Sequence, residues 1–173
     1  TIVLADHVQP YFNPHWDGFH GHYYVPPDRA SGLATMTQYG SVIHIASSIF
    51  RNYATLKNPD HRSLVAAAIR LLAPDPLVLA LSLPTFARIT LTSQKNRTMI
   101  HLLSYLPELR DTKHQIIEEP VVLSNINLSI RHDLPKRIYL APQKEDVDCQ
   151  ANNSRIDITV PQVADYQMVV IET

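Results

Sequence analysis

The run Ala73-Pro74-Asp75-Pro76 sets two prolines two residues apart, and no helix continues through that spacing. The hydrophobic pattern differs on its two sides, so this short run constrains the fold more than any other. Upstream, Leu64, Val65, Ala68, Ile69 and Leu72 recur at helical spacing behind Asn58, a good N-cap, and Pro59, suited to the first helical position. Ahead of that helix, Thr1–Val8 and Ser41–Ala46 read as strands, the second buried. Pro10–Gly32, with four prolines and three of the four glycines, reads as an ordered, irregular loop. Strand, loop, strand and amphipathic helix in this order point to the tail of an α/β sheet.

Downstream the period becomes two. Arg88–Thr92 alternates, Lys95-Asn96 offers a tight turn, and Thr98–Tyr105 follows. Further strands are expected at Gln115–Glu119, Val121–Ile130, Arg137–Leu140, Asp146–Cys149, Arg155–Val160 and Gln167–Glu172. Ile126, Leu128 and Ile130 alternate with Asn127 and Ser129, and Ile156, Ile158 and Val160 with Asp157 and Thr159. One face is therefore buried and the other wet, as in an antiparallel β-sandwich. Asn152-Asn153 supplies a hairpin turn without glycine.

Composition narrows the function. Forty-five per cent hydrophobic residues in a chain of 173 suffice for a packed core. Fifteen basic against sixteen acidic side chains argue against nucleic acid and anionic membrane as partners, since both favour a basic surplus. The single cysteine, Cys149, excludes an internal disulfide and a multi-thiolate metal site. No apolar stretch is long enough to span a bilayer. The opening residues read as the interior of a domain, so the chain is expected to be a fragment. Its compartment is left open, with the cytoplasm as the default expectation.

The densest polar cluster is His15-Trp16-Asp17-Gly18-Phe19-His20-Gly21-His22. In extended chain His20 and His22 point the same way, and His15 or Asp17 could complete a three-ligand zinc set. The plainer reading, which we prefer, has these imidazoles bonding loop backbone beneath packed aromatics, because no downstream ligand is identifiable. Trp16, Tyr23 and Tyr24 could stack on a sugar ring or dock against a neighbouring domain, and packing is the favoured reading. Paired carboxylates suited to glycoside hydrolysis are not apparent. Glu118 and Glu119 would face opposite sides of a strand, and Asp146 and Asp148 fall near an expected edge. No nucleophile elbow or glycine-rich phosphate loop is present. His101 reads as a core histidine satisfied by a neighbour.

Ordered strings add a resemblance. Pro10-Tyr11-Phe12-Asn13, Phe19-His20-Gly21-His22 and Pro26-Pro27 are followed by Ile49-Phe50-Arg51-Asn52-Tyr53 and Leu83-Pro84-Thr85. Then come His101-Leu102-Leu103-Ser104-Tyr105, Leu140-Ala141-Pro142 and Gln167-Met168-Val169-Val170. Together they resemble the C-terminal part of bacterial glycoside hydrolases related to the β-galactosidases that carry a trimerisation domain. That resemblance implies a TIM barrel holding the catalytic carboxylates, then a flavodoxin-like or glutamine-amidotransferase-like domain, then a small β-sandwich. The expected fold class is thus α+β, with a flavodoxin-like remnant over residues 1–76 and an antiparallel sandwich over 77–173. The barrel lies outside this sequence, so no catalytic residue carries over, and the first piece has no cysteine to act as an amidotransferase nucleophile. No cofactor is expected. The expected partners are the missing barrel of the same polypeptide, a second copy of the chain, and carbohydrate. The preferred function is domain packing or assembly within a carbohydrate-active hydrolase. The alternatives are a carbohydrate-binding module using the aromatic loop and a small metal-dependent hydrolase.

Overall fold

Alternating isoleucines, valines and leucines from Ile100 to Ile171 form the main core of this protein, in a computed structural model that describes residues 1–12 and 25–173. Contacts divide the chain into two units, Thr1–Asp75 and Pro76–Thr173.

The second unit contains two main antiparallel sheets. Strands β4 (Val78–Ala80), β9 (Leu123–Arg131), β12 (Cys149–Asn152) and β13 (Arg155–Val163) form the first, ordered β12-β13-β9-β4. The other is ordered β11-β10-β14-β6-β5. Its strands are β5 (Arg88–Gln94), β6 (Arg97–Leu103), β10 (Arg137–Ala141), β11 (Glu145–Asp146) and β14 (Tyr166–Glu172). Side chains alternate faces along a strand, so Ile126, Leu128 and Ile130 of β9 share an inner face with Ile156, Ile158 and Val160 of β13. Ile100, Leu102, Val169 and Ile171 meet them from the five-stranded sheet, and all ten are buried. Burying each such side chain stabilises the fold by roughly 1.5–3 kcal/mol. A small hairpin of β7 (Glu108–Leu109) and β8 (Gln115–Ile116) lies apart from both sheets, with Arg110 paired to Glu118 beside it. The strand expected over Gln115–Glu119 is thus reduced to two residues.

Turns in this unit reach left-handed backbone without glycine, at Lys144, Asn153 and Asp165. Asn153 serves the hairpin between β12 and β13 read from Asn152-Asn153. Asn125 has positive φ within β9, where the β9–β13 register passes from Ile126–Val160 to Ser124–Gln162. Pro161, between those partners, has no N–H to donate, so the ladder is interrupted there. Arg155 fixes the start of the unit: Nη1 donates to the Pro76 carbonyl at 3.0 Å and Nη2 to the Ser129 carbonyl at 2.7 Å.

The first unit is built differently. Strands β1 (Ile2–Pro10), β2 (Pro27–Tyr39) and β3 (Val42–Ile45) pair antiparallel in that order, followed by α1 (Ile49–Leu56) and α2 (Pro59–Leu72). The helix read from the sequence is α2, and Asn58 caps it by accepting the Asp60 N–H at 2.9 Å. One expectation is not confirmed and two need correction. The flavodoxin-like remnant is not confirmed, because each described strand pairing here is antiparallel. The loop over Pro10–Gly32 gives way at Pro27 to a thirteen-residue strand, with Gly32 at φ +75. Val42, expected inside, is 62% exposed. Among the described residues of this unit the buried apolar side chains are Met36, Ile49 and Ala68. The architecture is mostly antiparallel sheet with two short helices among the described residues. No helix among them is long and apolar enough to cross a membrane.

Leu102 is fully buried in the sandwich core. Leu102→Ala is expected to cost about 2–5 kcal/mol in urea unfolding, with the cavity adding to the lost transfer energy.

Candidate functional site

The residues singled out for chemistry in the sequence fall into two groups. His15, Trp16, His20, His22, Tyr23 and Tyr24 lie outside the described residues, as do Asp17 and Phe19. The flanking Tyr11 and Phe12 are exposed and meet edge to face, with centroids 6.4 Å apart. Elsewhere, Glu118 pairs with Arg110, and Asp146 accepts from Arg137 Nε at 2.6 Å. Glu119 and Asp148 are exposed, and Cys149 is a half-buried free thiol. No three His, Cys, Asp or Glu side chains among the described residues are grouped to hold a metal ion. His101 is half-buried on the five-stranded sheet. Its Nε2 lies 2.9 Å from Thr92 Oγ1 and its Nδ1 2.7 Å from the Tyr166 hydroxyl. Those bonds tie the three neighbouring strands β5, β6 and β14.

Two other features stand out. The first is an apolar face on the first unit, where α1 and α2 meet β3. A depression of about 560 Å³ there is lined by Ile43, Ile45, Ile49, Val65, Ile69 and Leu72. Phe50 beside it is 72% exposed, and Ile69 and Leu72 are exposed as well. The helical spacing read from the sequence is therefore present, with Ala68 buried and Leu64 and Val65 half-buried, yet Ile69 and Leu72 at its far side stay exposed among the described residues.

The second is a groove of about 800 Å³ in the second unit, reaching from Leu79 and Leu81 at β4 to the segment over residues 145–148. The registers build it. Leu79 sits beside Ser129, Ser129 beside Asp157, and Asp157 beside Gln150, so four strands contribute one row. Asn127 and Thr159 form the next row, with Thr159 Oγ1 donating to Asn127 Oδ1 at 2.9 Å. Asn125, opposite Pro161 where the ladder lacks a pair, lines the groove too.

Asp157 is the distinctive group. The Ser129 hydroxyl and then the Asn152 amide hold its carboxyl below the ordinary aspartate range, with the Arg155 charge helping. Asn152 Nδ2 donates to Oδ2 at 3.0 Å, whereas Oδ1 is shut off from solvent and lacks a partner in good hydrogen-bond geometry among the described residues. The Ser129 contact thus acts by proximity rather than as a well-formed bond. The sequence does not single out this site, because polar alternation looks like an ordinary wet face. The available signal is that the outward polar positions of β9 and β13 at the groove, Asn127, Ser129, Asp157 and Thr159, are short instead of lysines and glutamates.

Fold and site together define a β-sandwich unit with a groove on its four-stranded sheet, preceded in the chain by the first unit, where Phe50, Ile69 and Leu72 are exposed among the described residues. No protein-family model matches the chain, and no curated protein is significantly similar to it. Among solved structures, α-L-fucosidase isoenzyme 2 from Paenibacillus thiaminolyticus is similar over 96% of this chain, with 30% identity and a TM-score of 0.87. The chain spans 26% of that enzyme's length. A cycloisomaltooligosaccharide glucanotransferase from Paenibacillus sp. aligns over 64% of this chain and 20% of its own, at 14% identity and a TM-score of 0.34. The fucosidase likeness agrees with the expected resemblance at the level of a glycoside hydrolase. It lends nothing specific to β-galactosidases or to a trimerisation domain.

Asp157 has a depressed folded-state pKa, so its stabilisation is complete above the unfolded value of about 3.9 and is lost as pH falls through the folded value. Asp157→Asn is expected to lower the urea midpoint at pH 7 and to reduce its decline toward acid. Asp111, also depressed through the Lys113 and His114 N–H groups, retains a share of that decline.

Proposed function

We propose that this chain is a non-catalytic, C-terminal region of a longer carbohydrate-active glycoside hydrolase and that it serves domain packing within that enzyme. The observation that carries this reading is the uncovered apolar face of the first unit. Burial of nonpolar surface is the main force holding a unit together, and a unit of this length with three buried apolar side chains described is poorly filled on its own. Contiguous exposed apolar surface of this kind marks an interaction site. Phe50, Ile69 and Leu72 supply the anchors expected at the centre of such an interface.

The proposed occupant is the preceding part of the same polypeptide, including a catalytic barrel. Its support is the likeness to a fucosidase of which the chain spans only 26%. A second copy of the chain is the competing occupant. Catalysis would belong to the barrel. The aromatic-loop and metal-site alternatives rest on residues outside the described ones, and nothing observed favours them.

Co-expression with the polypeptide encoded upstream of Thr1 is expected to yield a complex by size exclusion and light scattering. Phe50→Asp with Ile69→Asp is expected to weaken that complex by about tenfold or more, since each removes an apolar anchor worth about 1 kcal/mol or more. Both positions are exposed in the chain alone, so its own unfolding midpoint should move little. An upstream polypeptide that neither binds the chain nor competes with its self-association would defeat the packing role.

A further inference from the structure

We propose that the groove on the four-stranded sheet binds a neutral saccharide chain, with Asp157 and Asn127 gripping ring hydroxyls while Leu79 and Leu81 lie under the C–H face of a ring. The inference goes beyond the packing role and stands on different residues.

The chemistry of the groove selects the ligand class. Glu145, Asp146, Asp148 and Asp157 line it, so an anion such as a phosphate or a nucleic acid would meet carboxylates. A metal ion finds no group of three ligands among the described residues. An extended peptide is recognised mainly by main-chain bonds to a sheet edge, whereas Asn127, Ser129, Asp157 and Thr159 line this groove from β9 and β13, the two inner strands of the sheet. What fits is a neutral molecule rich in hydroxyl donors and acceptors with an apolar flank.

The geometry suits that molecule. With Oδ1 of Asp157 shut away from solvent, Oδ2 is the oxygen that serves the groove. It accepts one bond from Asn152, and a carboxylate oxygen has room for a second donor. Asn127 directs its amide oxygen to Thr159, which leaves its NH₂ group to donate. These side chains stand on adjacent strands, two residues apart in register, at Asp157–Ser129 and Thr159–Asn127. An acceptor and a donor so placed can engage hydroxyls of one pyranose or of two in succession. Leu79 and Leu81, both exposed, offer apolar surface to the ring. A volume of about 800 Å³ accommodates several sugar units and falls within the usual range for ligand sites of roughly 300–1,000 Å³.

The test uses the full 173-residue chain and four neutral probes: maltotetraose, cellotetraose, xylotetraose and β-1,4-galactotetraose. Calorimetry and amide chemical-shift mapping are expected to detect at least one, with shifts centred on Asn127 and Asp157. Asn127→Ala and Asp157→Asn are each expected to weaken binding about fivefold or more, as losing a hydrogen bond to a ligand does. Lys95→Ala, away from the groove, should leave it unchanged. Thermal melts at pH 7 establish that each variant is folded, and Asn127→Ala, at an exposed position, decides the matter if Asp157→Asn is not. No binding by any probe, binding indifferent to the folded variants, or shifts confined to residues 13–24 would overturn the proposal. A chain that binds a probe but ignores its upstream polypeptide would remove the packing role and leave this one standing.

Discussion

Interdigitation of branched aliphatic side chains between two antiparallel sheets is the constraint on which the second unit depends. Strands β6, β9, β13 and β14 each turn one face of Ile, Leu or Val to the same layer, and Leu128 packs as fully as the isoleucines on either side of it. Two of the buried polar side chains in this unit, Ser104 and Gln167, are matched to backbone. Ser104 Oγ donates to the Val121 carbonyl at 2.6 Å, and Gln167 Nε2 donates to the Ala141 carbonyl at 3.1 Å. Such pairing avoids the cost of an unsatisfied buried group. Because the inner faces are committed to one another, the outer face of the four-stranded sheet is left to carry short polar side chains. The groove is a consequence of the core.

The first unit lacks a comparable layer among its described residues. Its helices have the spacing for burial, and Lys57 ends α1 in a left-handed cap whose N–H reaches the Tyr53 carbonyl at 3.0 Å. Local signals are therefore consistent with the fold, while the long-range packing that would cover Phe50 and Ile69 is not supplied by the described residues of the unit. Secondary structure and burial are separate questions, and here they have different answers.

That separation decides what the sequence makes legible. Strands β5, β9 and β13 are legible because period-two alternation reports a half-buried sheet directly, and β6, β10 and β14 because they are short apolar runs between turn residues. The α2 start is legible because Asn58 and Pro59 are local chemistry. Strand β2 is not, since Pro26, Pro27 and Gly32 speak for a loop while the repeated register shifts against β1 absorb them. Helix α1 escapes notice because its eight residues are too few to establish a helical period. The expected strand at Asp146–Cys149 divides into β11 and β12, which belong to different sheets. The groove is illegible for another reason: Leu79, Asn127 and Asp157 are brought together by strand order, which alternation alone does not specify.

Strand order has one more effect. Three of the four borders of the two main sheets are very short: β4 has three residues, β11 two and β12 four. Borders of that length present too few free amides to template an added chain. The seven-residue β5 is the exception, and Arg88, Thr90, Thr92 and Gln94 leave it polar. Within the second unit, accidental fibre growth along the two main sheets is thereby confined to one hydrophilic seam.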